Sequence, residues 1–300
     1  MMVERPPALR RPDRDRTVAH MTPSTTDAPR YGQIDRDYAM RLASAAGEDG
    51  PVWMVNLMKY RDRADYPDGR DDDISGREAD DRYTPLEALA AVGAEIVFVG
   101  DVERQFLGDA PMWDRVAVVK YPSGAAFIEM QSLPEFQRQH VHKDAGMEQT
   151  IVIGGRPIEV PGAEDLNVDW TEVAHPPTDD DPPIVIVHVL AYHESADGAT
   201  PDEMAAYQQA AVQVARPHGV RVAGWFSAEG TIVGDGRSWD QVRFNAFPSA
   251  AAFMAVATDP TRLEAQHNHR EPAIADTYAL MVRPVINGLA ESMRGGAVDV

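Results

Sequence analysis

The chain carries a second, diverged copy of one of its own stretches. Laying residues 93–134 over 219–260 without a gap gives 13 identities in 42 positions. Gly93 falls on Gly219, Gly108-Asp109 on Gly234-Asp235, Trp113-Asp114 on Trp239-Asp240, Pro122-Ser123 on Pro248-Ser249, and Pro134 on Pro260. The offset, 219 − 93 = 126 residues, is too long for a solenoid repeat and suits a domain that occurs twice. Differences between the copies are then the best guide to function.

Composition sets limits. With 300 residues, 44% of them hydrophobic, the chain can support two ordinary domains. No apolar run approaches the roughly 18 residues that a spanning helix needs, so no membrane partner is expected. A formal charge of −20 argues against nucleic acid, because phosphate binding needs clustered Lys and Arg. The absence of cysteine excludes disulfides, thiolate nucleophiles and cysteine metal sites. Residues 1–30, rich in Arg, Pro, Asp and Thr without periodicity, read as a disordered tail, and Met21 offers an alternative start. Arg10-Arg11 lack a following apolar segment, which speaks against export and for a cytoplasmic protein.

Along the chain, Ile34, Tyr38 and Leu42 share one face of a short helix. Val52 to Tyr60 reads as a strand, and Ser75-Gly76-Arg77-Glu78 has the spacing of a capping box. Pro85 should bend or restart the helix that follows, and Gly93 should end it. Ile96 to Val99 and Arg115 to Tyr121 are strand-like, 124–132 is helical, Pro134 restarts the helix, and Thr150 to Ile153 is a further strand. The order β-α-β-β-α-β is that of a ferredoxin-like unit. A second set follows: Ile184 to Tyr192, Pro201 to Ala215, Val220 to Ser227, Val242 to Phe247, Ala250 to His269 and Tyr278 to Val282. The expectation is an α+β fold of two tandem ferredoxin-like domains, residues 31–155 and 184–290, joined by a Pro- and Asp-rich linker over 156–183.

Val55-Asn56-Leu57-Met58-Lys59-Tyr60, Ser75-Gly76-Arg77-Glu78-Ala79, Trp113-Asp114 and Tyr121-Pro122-Ser123 together resemble the domain of unknown function numbered 1330, of the dimeric α/β-barrel superfamily. The likeness covers most of the first copy. It is weaker in the second, where His188 stands in place of Asn56 and the Ser-Gly-Arg-Glu segment is missing. The resemblance implies two sheets packed face to face with helices outside and a pocket between them, closed within one chain or by a homo-oligomer. Superfamily members use such a pocket for haem chemistry, cofactor-free oxygenation, isomerisation or simple binding. The family itself carries no agreed activity.

The period of two puts Ile184, Ile186, His188, Leu190 and Tyr192 on one face of their strand and Val185, Val187 and Val189 on the other. The valines suit packing under helices, which would aim His188 and Tyr192 into the pocket between the sheets. Asn56 and Tyr60 hold the same places in the first copy, as further substrate-binding candidates. Arg243 and Asn245, which replace Ala117 and Val119, share a face of the neighbouring strand. The expected function is a small-molecule enzyme of isomerase, cyclase or cofactor-free oxygenase type. His188 would be its acid or base, Arg243 its charge stabiliser, and Tyr192 and Asn245 would orient the substrate. Such chemistry can proceed without a cofactor, and the residues leave the cofactor open.

The runner-up is haem or a metal. Gln139-His140-Val141-His142-Lys143 is echoed by Gln266-His267-Asn268-His269-Arg270. His140 follows Phe136 by four and His267 follows Leu263 by four, which places each on an inward face if the helices are regular. The superfamily's haem-binding members take an axial histidine from this second helix. A non-catalytic ligand-binding or assembly protein is the third reading. Asp62 to Asp81 lacks the spacing of a calcium loop and reads as a solvated lid. The paired Trp-Asp motifs read as structural.

Overall fold

In the computed structural model, residues 29–44, 50–70, 73–83, 85–160, 162–193 and 201–294 are described. Most of the expected tail, including Arg10, Arg11 and Met21, and Asp71-Asp72 of the acidic loop lie outside them. Nine strands are present: β1 (Gln33–Ile34), β2 (Val52–Tyr60), β3 (Glu95–Leu107), β4 (Arg115–Tyr121), β5 (Met147–Pro157), β6 (Ile184–Tyr192), β7 (Arg221–Gly234), β8 (Gln241–Phe247) and β9 (Ile274–Asn287). Helices fall between β2 and β3, β4 and β5, β6 and β7, and β8 and β9.

The strands do not form two domains. They run β7-β5-β2-β4-β3-β9-β6-β8, all antiparallel, and β8 pairs back onto β7. The result is a closed eight-stranded barrel ringed by helices, with β1 added to β7. Two seams close it, β3 on β9 and β5 on β7, and each joins one half of the chain to the other. This overturns the expectation of tandem ferredoxin-like domains. A lone four-stranded sheet would leave β3 and β5 as unpaired edges, and closure removes every edge at once. Strands β3, β7 and β9 accordingly run to 13 or 14 residues, well past the short apolar cores that suggested them. Their seam-pairing extensions mix polar and apolar residues, as in Asp101 to Arg104, and do not stand out as apolar runs.

The barrel interior is solid. Val55, Leu57, Phe98, Val187, Phe244 and Val282 belong to one buried cluster drawn from both halves. Phe98 meets Phe244 edge to face across the lumen, with centroids 5.3 Å apart. The Val185/Val187/Val189 face therefore lies inside the barrel, opposite to its expected place under helices. Ile184 and Ile186 point outward instead, against Ala215, Ala252 and Val256 of the surrounding helices.

The matching residues of the two halves land on matching elements. Gly93 and Gly219 take φ of 69° and 77° just before β3 and β7, a left-handed conformation that disfavours any Cβ. Ser123 and Ser249 cap their helices, accepting from the amides of Ala126 at 3.1 Å and Ala252 at 3.0 Å. Asp114 and Asp240 accept from the backbone amides of Tyr60 at 2.8 Å and Tyr192 at 2.7 Å. Trp113 and Trp239 both pack on Tyr278, with centroids 5.7 and 5.5 Å away. The Ser75 capping box and the helix restart after Pro85 stand where the sequence puts them. Ala250 to His269 is not one regular helix. It breaks at Thr258, and Gln266–Arg270 is a π turn.

A shared core makes a shared stability. Phe98→Ala should cost about 3–5 kcal/mol, the usual cost of truncating a buried aromatic. Tryptophan fluorescence and far-UV circular dichroism should then lose the structure of both halves in one urea transition, shifted to lower denaturant. Two separated transitions would show that the halves are independent.

Candidate functional site

Because the lumen is filled, the space for a ligand lies elsewhere. A cavity of about 830 Å³ opens on the outer face of the second half, between strands β6, β7 and β8 and the helices 202–215, 250–257 and 260–265. Most of its wall is apolar, including Ile186, Val212, Val222 and Phe253. Phe106 and Leu107, at the end of β3, contribute from the first half. The helix 202–215 enters through Asp202 and Glu203 in its first turn, favourable charges against the macrodipole, and seats Met204 and Ala215 inward.

His188 lies in mid-β6, opposite Arg243 of β8 on one side and Ala279 of β9 on the other. Since the valines take the interior, the pleat turns its imidazole into this cavity, where it makes no hydrogen bond to a described residue. Its side chain is half-buried. Desolvation, and after it the charges of Arg270, Arg243 and Arg262, hold its pKa well below the usual imidazole range. The ring is neutral at neutral pH.

Arg243, 3% exposed, is fixed from several directions. Its Nε donates to Gln241 Oε1 at 2.9 Å and its Nη2 to the Tyr192 hydroxyl at 2.9 Å. Tyr192 in turn donates to Gln241 Oε1 at 2.9 Å. Gln208, with its amide oxygen turned to the guanidinium, accepts from Nη2 at 2.8 Å and Nη1 at 2.6 Å. The guanidinium carbon sits 4.2 Å from the centre of the Trp225 ring, whose Nε1 donates to Asn245 Oδ1 at 3.0 Å. Burial lowers the Arg243 pKa to about 10, which still leaves it charged at neutral pH. His188, Arg243, Tyr192 and Asn245 are thus one cluster, on the helix-facing side of the sheet and not between the sheets. Tyr192 reaches it as a clamp on Arg243.

Asn56 and Tyr60 are not brought to this site. The Asn56 amide donates to the carbonyl of Met54 at 3.0 Å, and the Tyr60 hydroxyl donates to Asp80 at 2.7 Å. Tyr31, Met58, Tyr60 and Met147 pack together there. His140 closes the group through its Nε2, 2.8 Å from the Tyr31 hydroxyl, and stacks on Phe136. The first half's counterpart of the cavity is filled by its own side chains.

The second-helix histidines also fail to converge on a cofactor. His267 has 80% of its side chain exposed and lies 3.1 Å from Glu271. The π turn explains this. Ala265 and Arg270, five residues apart, are the buried positions, so Arg270 turns in where four-residue spacing would have put His269. Leu263, the residue used to place His267 on an inward face, is itself 44% exposed. Neither His140 nor His267 lines the cavity, and the described residues hold no cluster of three or more His, Asp or Glu suited to a metal. The residues proposed for a haem iron do not fit that group.

Sequence reasoning missed Arg262, Arg270, Gln208 and Trp225. The Arg262 Nε donates to the Tyr207 hydroxyl at 3.2 Å and its Nη1 to the carbonyl of Ala257 at 3.1 Å. Arg270 was in view as the last residue of the Gln-His-Asn-His-Arg echo, but the histidines drew the reading. Gln208 and Trp225 had no signal beyond their residue type.

No family model matches the chain, and no curated protein matches it. Among solved structures, a protein of unknown function from Rhodopseudomonas palustris is 28% identical, covering 43% of this chain and 98% of its own, with a TM-score of 0.39. A monooxygenase-like protein from Fusobacterium nucleatum is 12% identical over 79% of this chain and 93% of its own, TM-score 0.43. A chlorite dismutase variant from Candidatus Nitrospira defluvii is 11% identical over 85% of this chain and 99% of its own, TM-score 0.45. Among the described residues, no helix of this chain is long and apolar enough to cross a membrane.

Burial also lowers the His140 pKa, from 6.5 to about 4. In the window between these values the unfolded chain binds the proton and the folded chain does not, so stability should fall as pH drops from about 6.5 to about 4. Urea midpoints measured across that range should decline, with a shallower slope in His140→Gln. An identical slope in the variant would refute the assignment.

Proposed function

We propose that this protein is an enzyme for a small molecule held in the second-half cavity. His188 takes a proton from the substrate, and Arg243 stabilises the negative charge that develops. The observation that carries this reading is the contrast between the two side chains. Arg243 is fixed by Tyr192, Gln241, Gln208 and Trp225, while His188 faces the same space with no hydrogen-bond partner among the described residues. A charge stabiliser has to be rigid before the reaction, and a base has to have its lone pair free. Isomerisation, cyclisation and cofactor-free oxygenation can all begin with such a proton abstraction, and the geometry favours none of them over the others. Asn245, tied to Trp225, supports the floor beneath Arg243 and is the candidate to orient the substrate.

A neutral histidine is ready as a base over the whole neutral range, although its low pKa limits its basicity. Negative charge brought by the substrate would raise that basicity on binding. The competing reading is a non-catalytic binding protein, which needs the same cavity but not His188.

The test is a screen of small molecules for those that raise the melting temperature, followed by turnover assays. His188→Ala should lower turnover by about 10² to 10⁴, the range for loss of a general base, while Asn56→Ala changes it little. Unchanged turnover in His188→Ala would sink the proposed role. Ligands that stabilise the wild type without any turnover would favour the binding protein.

A further inference from the structure

The cavity's charge is as informative as its volume. Arg243, Arg262 and Arg270 all line it, and their charges all act on His188. Among the described residues, none of the three makes an ion pair. Arg243 is satisfied by neutral oxygens. Arg270 is 4% exposed, yet its one hydrogen bond is Nη2 to Thr277 Oγ1 at 3.3 Å. The neighbouring Glu271 carboxylate acts on it electrostatically but is bonded to Gln266 and His267 instead. Among the described lining residues the single carboxylate is Glu159, which is exposed.

An enclosed guanidinium without a counter-charge costs several kcal/mol. In a chain with 48 Asp and Glu against 28 Lys and Arg, a wall of three arginines without a paired acid is not an effect of composition. Among the described residues, no acid balances these charges. Around the arginines the wall is apolar, through Ile186, Val212, Val222, Phe247, Phe253 and Val256. A free inorganic ion would leave that surface uncovered.

Resting on the reading of this cavity as the substrate site, we propose that the substrate is an amphipathic organic anion. Its carboxylate, sulfonate or phosphate group is held by Arg270 and Arg262 beside His188, and its apolar body lies along the sheet toward Phe106. Arg270 supplies the recognition because its unused N–H groups face the cavity. Arg243 supplies fixed positive charge.

Two probes of nearly the same shape test this on the full chain. One is 1-anilinonaphthalene-8-sulfonate, and the other is the uncharged N-phenyl-1-naphthylamine. The sulfonate should bind one to one and about tenfold or more tighter than the uncharged probe, as expected for charge-assisted hydrogen bonds. Arg270→Gln should remove that preference and leave the uncharged probe's affinity within about twofold. Arg262→Gln, at a half-buried position, should weaken the sulfonate in the same direction and serves if Arg270→Gln does not fold. Equal affinity for both probes, or a preference that survives both substitutions, would overturn the anion assignment while leaving the cavity as a site. Val212→Trp projects bulk into the cavity. If neither probe binds one to one, or if both bind that variant as they bind the wild type, the reading of the cavity itself fails.

Discussion

The rest of the structure depends on the two seams, β3 with β9 and β5 with β7. Each is a row of backbone hydrogen bonds between halves, and together they convert two open sheets into a barrel without edges. At the β5–β7 seam Gly154 faces Gly230, and a Cβ on either would lie within 3 Å of Tyr38 atoms. Tyr38 of the first helix thus packs directly onto the backbone where the halves join. Closure also orients every strand, since once the barrel shuts, one face of each must fill the lumen.

That orientation decides where chemistry can occur. On β6 the valines fill the lumen and His188 is turned out toward the helices. The two halves then part ways on the outer face. In the first, Tyr31, Met58, Tyr60 and Met147 fill the space under the second helix. In the second, the corresponding space stays open, lined by arginines where the first half has Ala117 and Lys143. Lys143 lies over the rings of Tyr31 and Tyr83, and its pKa is lowered chiefly by burial. Arg270, 127 residues later, keeps its charge and faces a cavity. Holding two halves in one barrel lets one serve as a packed wall while the other carries the site.

Much of the local structure was legible. The Ser75-Glu78 capping box and the helix end at Gly93 are short-range signals whose physics lies within a few residues. The grouping of His188 with Arg243 and Asn245 was legible too, because the period of two and the neighbouring positions of β6 and β8 suffice to place them on one face. Which face that was could not be read. Val185 to Val189 are compatible with a lumen or with a helix layer, since both are apolar.

By itself, the sequence determined the element types, the correspondence between halves and the sets of residues sharing each strand face, because these follow from local periodicity and capping. Only the tertiary structure decided that the halves close into one barrel, that the cavity lies under the helices, and that a π turn presents Arg270 in place of His269. Strand pairing between residues 69 to 189 positions apart is selected by backbone hydrogen bonding along the edges. That bonding is the same for every residue type except proline and leaves no mark in composition. The electrostatics of the site follow from the same cause. Three arginines from β8 and from the segment after it become one positive wall only when β8 pairs with β6 and the helices are laid over them.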